Sequence, residues 1–210
     1  MVRRLIWLLA ASLSVPAAAE TGDCLPDGPP VSAAPAAQPM RLAIEERGQL
    51  SVLRAEGFID RGAAERLNAL LHQRVDEVWF DSPGGDIREA LLMGRAIRAV
   101  GAVTRVPAHS VCVGACAEAF LGGPARMVDP GALLGFTAVP LSDPTSAQTQ
   151  AEREQAAARW AEERADYYIR AGISRGLLRL QLDTPAPGIC YLSEAGMRRY
   201  NVTNFPQFRG

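Results

Sequence analysis

The chain has 210 residues, of which 48% are apolar and 21% charged, with a formal net charge of −1. That length and balance give one domain with a real core and exclude wholesale disorder, and a near-neutral charge leaves no basic field for nucleic acid. All 22 basic residues are arginine, which excludes Schiff-base lysines, Ser-Lys dyads and P-loop lysines; with His72 and His109 as the only histidines, no metal site and no cofactor are expected.

Arg3 and Arg4 precede an apolar run over residues 5–15, and Ala17, Ala18 and Ala19 offer small residues before Glu20. This is the pattern of a signal peptide cleaved between Ala19 and Glu20, and the run is too short to span a bilayer. The remaining chain carries 20 basic against 23 acidic side chains. It is expected in the periplasm or outside the cell, with no stable membrane insertion once the signal is removed. Export gives Cys24, Cys112, Cys116 and Cys190 an oxidising compartment, where thiols tend to pair. Four cysteines allow three connectivities. Cys112 and Cys116 are close enough for a local bridge if the backbone turns there. Cys24 and Cys190 would then staple the N-terminal arm to the C-terminal region. Four buried, unpaired thiols are the alternative.

Residues 20–39 hold Pro26, Pro29, Pro30, Pro35 and Pro39 among Ala, Gly and Ser. They read as a flexible linker, so the domain is expected over 40–210. Residues 41–45 and 50–55 read as strands joined by a turn at Arg47-Gly48. Residues 62–72 read as a helix with Ala64, Leu67, Leu70 and Leu71 on its apolar face, ending at a surface His72. Residues 75–80 form a buried strand that ends at Asp81-Ser82-Pro83-Gly84-Gly85-Asp86. Asp86 is placed to cap the next helix, whose apolar side is Ile87, Ala90, Leu91, Gly94 and Ile97. Strands follow at 102–106 and 110–113, then a buried helix over 116–121 and short strands at 127–128 and 132–136. Residues 145–171 read as one long helix, with Ala157, Trp160, Ala161, Ala165, Tyr168 and Ile169 as its buried stripe. Glu152, Arg153, Glu154, Glu162, Glu163 and Arg164 read as its solvated face. Strands alternating with helices argue for an α/β architecture.

Adjacent glycines between a strand and a helix N-terminus permit a tight turn and expose backbone N–H groups that can hold an oxyanion. The stretches DSPGGDIREALLMGRAIRAVGAVTRV (81–106), CVGACAEAFLGG (112–123) and DPGALLGFTAV (129–139) resemble, in order and content, the Clp protease proteolytic subunit and its exported relatives in the Clp/crotonase superfamily. The closing CYLSEAGMRRYNVT (190–203) is similar to that family's final segment. The resemblance implies a superhelix of ββα units around a mostly parallel sheet. It makes Gly84, Gly85 and the Ala117 N–H the oxyanion donors. It also implies assembly into a homo-oligomer, with the long helix as a contact.

The same resemblance places the peptidase serine at Cys116, or at Gly114 by the pattern of the exported relatives, and the histidine base at Thr137. The family's aspartate has a counterpart only at Asp183. Two readings follow. One is a protein that keeps the scaffold without serine-peptidase chemistry and binds a peptide or protein partner through glycine N–H groups. The alternative is a peptidase-like hydrolase with Cys116 as nucleophile at a helix N-terminus and His109 as its proton carrier. A Cys112–Cys116 disulfide would remove that nucleophile.

Overall fold

Leu53 and Ala55 in Leu50–Glu56 face the main core because alternate strand residues point to one side, and Val52 is buried on the other side. This strand, β2, pairs antiparallel with β1 (Arg41–Arg47) through a turn at Gly48, whose φ of 66° lies in the left-handed region. The computed structural model describes residues 22–25, 38–137, 149–185 and 188–205. The expected signal segment, residues 1–19, lies outside the described residues, as do 20–21 and 26–37 of the expected linker and 145–148 of the expected long helix.

Beyond the hairpin the sheet is parallel. β3 (Glu77–Asp81), β4 (Val103–Val106) and β6 (Arg126–Val128) extend it in the order β1-β2-β3-β4-β6. A second sheet holds β5 (Val111–Val113), β7 (Leu133–Thr137) and β8 (Ile189–Tyr191), with β5 parallel and β8 antiparallel to β7. The helices are α1 (Ala63–Leu71), α2 (Ile87–Val100), α3 (Ala115–Phe120), α4 (Gln150–Ala171), α5 (Gly176–Asp183) and α6 (Glu194–Arg199). Mostly parallel strands with helical crossovers make this the mixed α/β domain that the sequence implies. Asp86 caps α2 as expected, accepting from the N–H groups of Arg88 and Glu89. Ala90, Leu91, Met93, Gly94 and Ile97 form the buried side of α2.

The long helix departs from its expected face. Ala161 and Ile169 are exposed, whereas Arg164, Tyr167, Tyr168 and Ala171 are buried. The side chains of Ala157 and Trp160 lie outside what is described. The reason is polar. Arg164 donates to Glu118 Oε1 at 2.6 Å and to Gln181 Oε1 at 2.8 Å; the Tyr168 hydroxyl lies within hydrogen-bond reach of the same two oxygens, at 2.9 and 3.1 Å, with one proton to share between them. Glu118 is on α3 and Gln181 on α5, so this cluster ties α3, α4 and α5 together. An apolar-periodicity reading rotates the helix because it assigns arginine to water. Burial alone would lower the proton affinity of Arg164, but Glu118 more than compensates and raises it. Burial, then Glu118, pushes the Tyr168 hydroxyl far above its usual range.

A second arginine closes the other end of the layer. Arg126 is 1% exposed and donates to the carbonyls of Val202, Gly123, Ala171 and Asn201. These acceptors join β6 to the end of α4 and to the C-terminal segment. Burial first, and Arg98 second, lower its proton affinity to a pKa of about 10. On the face of the first sheet away from the helices, Glu77 accepts from Arg105 Nε at 2.9 Å and from Trp79 Nε1 at 2.6 Å, while Arg105 also reaches Asp129 at 2.6 Å.

Two outcomes test these clusters. Glu118→Ala leaves the buried Arg164 without its carboxylate and is expected to cost about 3–5 kcal/mol in urea unfolding, whereas Glu118→Leu combined with Arg164→Met is expected near neutral. Burial would raise the Glu77 pKa, but Arg105 and Trp79 outweigh it and hold the carboxyl below its usual value of 4.5. Its contribution is therefore present above pH 4.5 and lost as the pH falls below that value through the depressed folded pKa. Glu77→Gln is expected to destabilise by about 1–2 kcal/mol at neutral pH, and the difference should vanish in strong acid when Trp79 fluorescence follows unfolding.

Candidate active site

The chain leaves β3 through one residue that belongs to both sheets. The Ser82 N–H donates to the Val111 carbonyl at 2.7 Å, and the Val113 N–H donates to the Ser82 carbonyl at 3.1 Å. This single parallel bridge between Ser82 and Cys112 carries the strand from the first sheet onto β5. The Gly84 N–H then turns back onto the Ser82 hydroxyl at 3.1 Å.

Gly84 and Gly85 follow with φ of 110° and 143°, values that a side chain rarely tolerates. Space forbids a side chain as well. A Cβ on Gly84 would sit 2.7 Å from the Val113 carbonyl oxygen, and one on Gly85 would enter the backbone of Ile59. The Ile59 N–H donates to the Gly84 carbonyl and the Asp86 N–H donates to the Ile59 carbonyl, each at 2.8 Å. Because strand neighbours alternate in direction, these bonds leave the Gly85 N–H facing the other way. Gly85 is exposed, and no group among the described residues accepts its N–H.

α3 begins against this turn. Its N-cap is Gly114, with φ 58° and no side-chain cap, and Gly114 is pinned by its N–H to the Gly135 carbonyl at 2.9 Å. The Ala115 nitrogen lies 3.5 Å from where a Gly84 Cβ would be. The first intrahelical acceptor serves Glu118, whose N–H reaches the Gly114 carbonyl at 3.3 Å. The N–H groups of Ala115, Cys116 and Ala117 occupy the first turn, which has no intrahelical acceptor for them. Ala117 and Cys116 are fully buried, so Gly85 is the donor presented to solvent.

The cysteines pair as Cys112–Cys116 and Cys24–Cys190, each with Cα atoms 5.2 Å apart, and none is free among the described residues. Thr137, at the end of β7, brings its hydroxyl to 3.4 Å from the position of a Gly114 Cβ. Gly84, Gly85, Gly114, Thr137 and the Cys112–Cys116 bond are thus neighbours. His109 stands apart from them. It sits with φ 64° on the exposed turn before β5, its ring beside Gly131, so the whole of β5, about 10 Å of extended chain, separates it from Gly114. Asp183 pairs with Arg179 at 3.1 Å on the outside of α5. His72 is an exposed C-cap of α1. The described residues contain no His, Cys, Asp and Glu group suited to a metal, and no helix long and apolar enough to cross a membrane. Ser82 and Ile59, which fix the glycine turn, carry no local signal that separates them from ordinary strand residues.

Comparison of the sequence with protein-family models and with curated proteins gives no match. Comparison of the fold does. A variant of 1510-N, a membrane-bound stomatin-specific protease, superposes with a TM-score of 0.53 at 12% identity, over 71% of this chain and 75% of that one. A variant of ClpP1 from Listeria monocytogenes superposes with a TM-score of 0.52 at 14% identity, over 72% of this chain and 88% of that one. The order of elements and these two likenesses together establish a Clp protease-like fold for this chain.

Proposed function

We propose that the chain is an exported protein of Clp protease-like fold that holds an extended peptide segment of a partner without cutting it. One observation carries this reading: Cys116, to which the resemblance assigns the family's serine (Gly114 being its other candidate position), is bonded to Cys112 and fully buried. A sulfur in a disulfide is not a thiolate and does not attack a carbonyl. Thr137 at the base position has a hydroxyl, which takes no proton near neutral pH. The backbone donors are what remain, with Gly84 and Gly85 shaping the turn, Gly85 offering an open N–H and Ala117 behind it. An extended segment binds through such main-chain groups by shape and hydrogen bonding. Two disulfides suit an oxidising compartment, which supports export. Assembly with a second copy is expected through α4, whose described residues between 151 and 163 are all exposed.

Expression with the leader intact is expected to yield a mature chain beginning at Glu20 by intact mass. The oxidised protein should then retain members of a random extended-peptide library without cleaving them. Thr137→Val, which removes a hydroxyl beside the cradle, is expected to weaken retention roughly threefold to tenfold. Retention of no peptide overturns the reading. Cleavage by the wild type that disappears in His109→Ala replaces it with the Cys116 and His109 hydrolase.

A further inference from the structure

The Cys24–Cys190 bond belongs to a short strap that the catalytic resemblance does not explain. Residues 22–25 lie along the outer edge of β8, pairing Cys24 with Leu192. The Leu25 N–H donates to the Tyr191 carbonyl at 2.7 Å, and Ser193 donates its N–H to the Asp23 carbonyl at 3.0 Å and its hydroxyl to the Gly22 carbonyl at 2.7 Å. The Asp23 carboxylate accepts from the Tyr200 hydroxyl at 2.7 Å and faces Arg199 at 3.3 Å. Gly196 completes the seat, since a Cβ there would run into the Asp23 carbonyl.

This seat connects directly to the cradle. Cys190 is opposite Phe136 in the β7–β8 pair, one position from the Thr137–Ile189 pair. Gly135, next along β7, supplies the carbonyl that pins Gly114 at the head of α3. The strap therefore braces β8, β8 braces β7, and β7 holds the N-cap of α3. The two disulfides differ in exposure. Cys24 is half-buried while its partner Cys190 is 3% exposed, whereas Cys112 and Cys116 are both at 0%, so the difference lies at the Cys24 sulfur. An attacking thiolate must reach a sulfur, so access favours the outer bond. The anchoring differs too. Cys112 and Cys116 remain held by β5 and α3 when their bond opens, while Cys24 is held by the few contacts above.

We propose that the Cys24–Cys190 bond is a reducible clasp whose opening releases the N-terminal strap from β8 and loosens the Gly135–Gly114 contact at the cradle, with the Cys112–Cys116 bond still closed. The regulatory consequence rests on the cradle being the peptide-binding site proposed above. The reductant is a dithiol, such as that of a thiol–disulfide oxidoreductase. One of its thiolates attacks Cys24 Sγ, Cys190 leaves as a thiolate and takes up a proton, and a mixed disulfide forms. The second thiolate of the reductant then resolves that bond, releasing the Cys24 thiol. Two electrons pass from the dithiol to the Cys24–Cys190 pair, and the dithiol becomes a disulfide.

The test uses the oxidised full mature chain in rising dithiothreitol, trapped with N-ethylmaleimide and read by peptide mapping beside amide hydrogen exchange. Cys24 and Cys190 are expected to label at roughly tenfold lower dithiothreitol than Cys112 and Cys116. At that step the amides of Leu25, Ser193 and Gly114 should exchange roughly tenfold faster, while β2, β3 and β4 keep their protection. Asp23→Ala, which weakens the strap without touching sulfur, should move the outer labelling to still lower dithiothreitol. Joint opening of both pairs, opening of the inner pair first, an unchanged Gly114 amide with the outer pair alkylated, or an unmoved threshold in Asp23→Ala each overturns the proposal. Labelling and exchange need no peptide, so the clasp can fail while peptide binding stands, and the reverse.

Discussion

The cradle depends on one residue that serves two sheets. Ser82 ends the β3 line and begins a pairing with β5, so the chain changes sheet without a loop. A strand that changes partners within one residue leaves its next peptide groups unpaired on one side. The hydroxyl of Ser82 takes one of them, the Gly84 N–H, and Ile59 takes the Gly84 carbonyl. The Gly85 N–H is left over. Buried unpaired donors are costly, which is why such an N–H survives only where solvent or a ligand reaches it. The exposure of Gly85 meets that condition. The same change of sheet brings Val113 against Gly84 and so sets α3 directly behind the turn.

An all-arginine chain solves its internal polar problems in a particular way. Arg126 needs no carboxylate, because its planar fork distributes donors over four carbonyls at the junction of β6, α4 and the C-terminal segment. Carbonyls at the end of α4 also sit at the negative end of that helix. Arg105 reaches Glu77 and Asp129 with different nitrogens. Arg164 spans Glu118 and Gln181 with one. Lysine offers a compact ammonium and cannot reproduce the fork. Arg164 also fixes the position of α4: its guanidinium has acceptors on α3 and α5, and a shift of one turn would break both contacts together.

The fold was largely legible in the sequence, because the signals that define it are local. Strands β1 to β4, the Asp86 cap and the buried face of α2 follow from alternation, capping chemistry and helical spacing. The glycine turn was legible for the same reason, since two adjacent glycines after a strand have few other uses. What escaped is long-range. The face of α4 is chosen by Glu118 and Gln181, which lie 46 and 17 residues from Arg164, and no periodicity within the helix encodes them. α5 went unread because its short apolar pattern sits between a glycine and prolines and resembles a loop. The docking of residues 22–25 depends on a hollow at Gly196 and on Ser193 and Tyr200, far along the chain. Composition made that arm look like linker.

Holding a peptide and cutting one make different demands on the same geometry. Both need donors fixed before the ligand arrives, because a donor that must be ordered on binding loses part of its contribution to entropy. Cutting needs in addition a nucleophile that moves toward the carbonyl and a base that carries its proton. The Cys112–Cys116 bond fixes the start of α3 to β5, and on the proposed reading it withholds the second requirement, by occupying the sulfur, while reinforcing the first. On that reading Thr137 acts in the same sense: its hydroxyl beside Gly114 can donate to a bound oxygen and is too weak a base to hold a proton near neutral pH. On the reading proposed here, the site keeps the part of the hydrolase geometry that depends on rigidity and lacks the part that depends on titration, and a protein bound for an oxidising compartment can lock such a site with the bond that compartment favours.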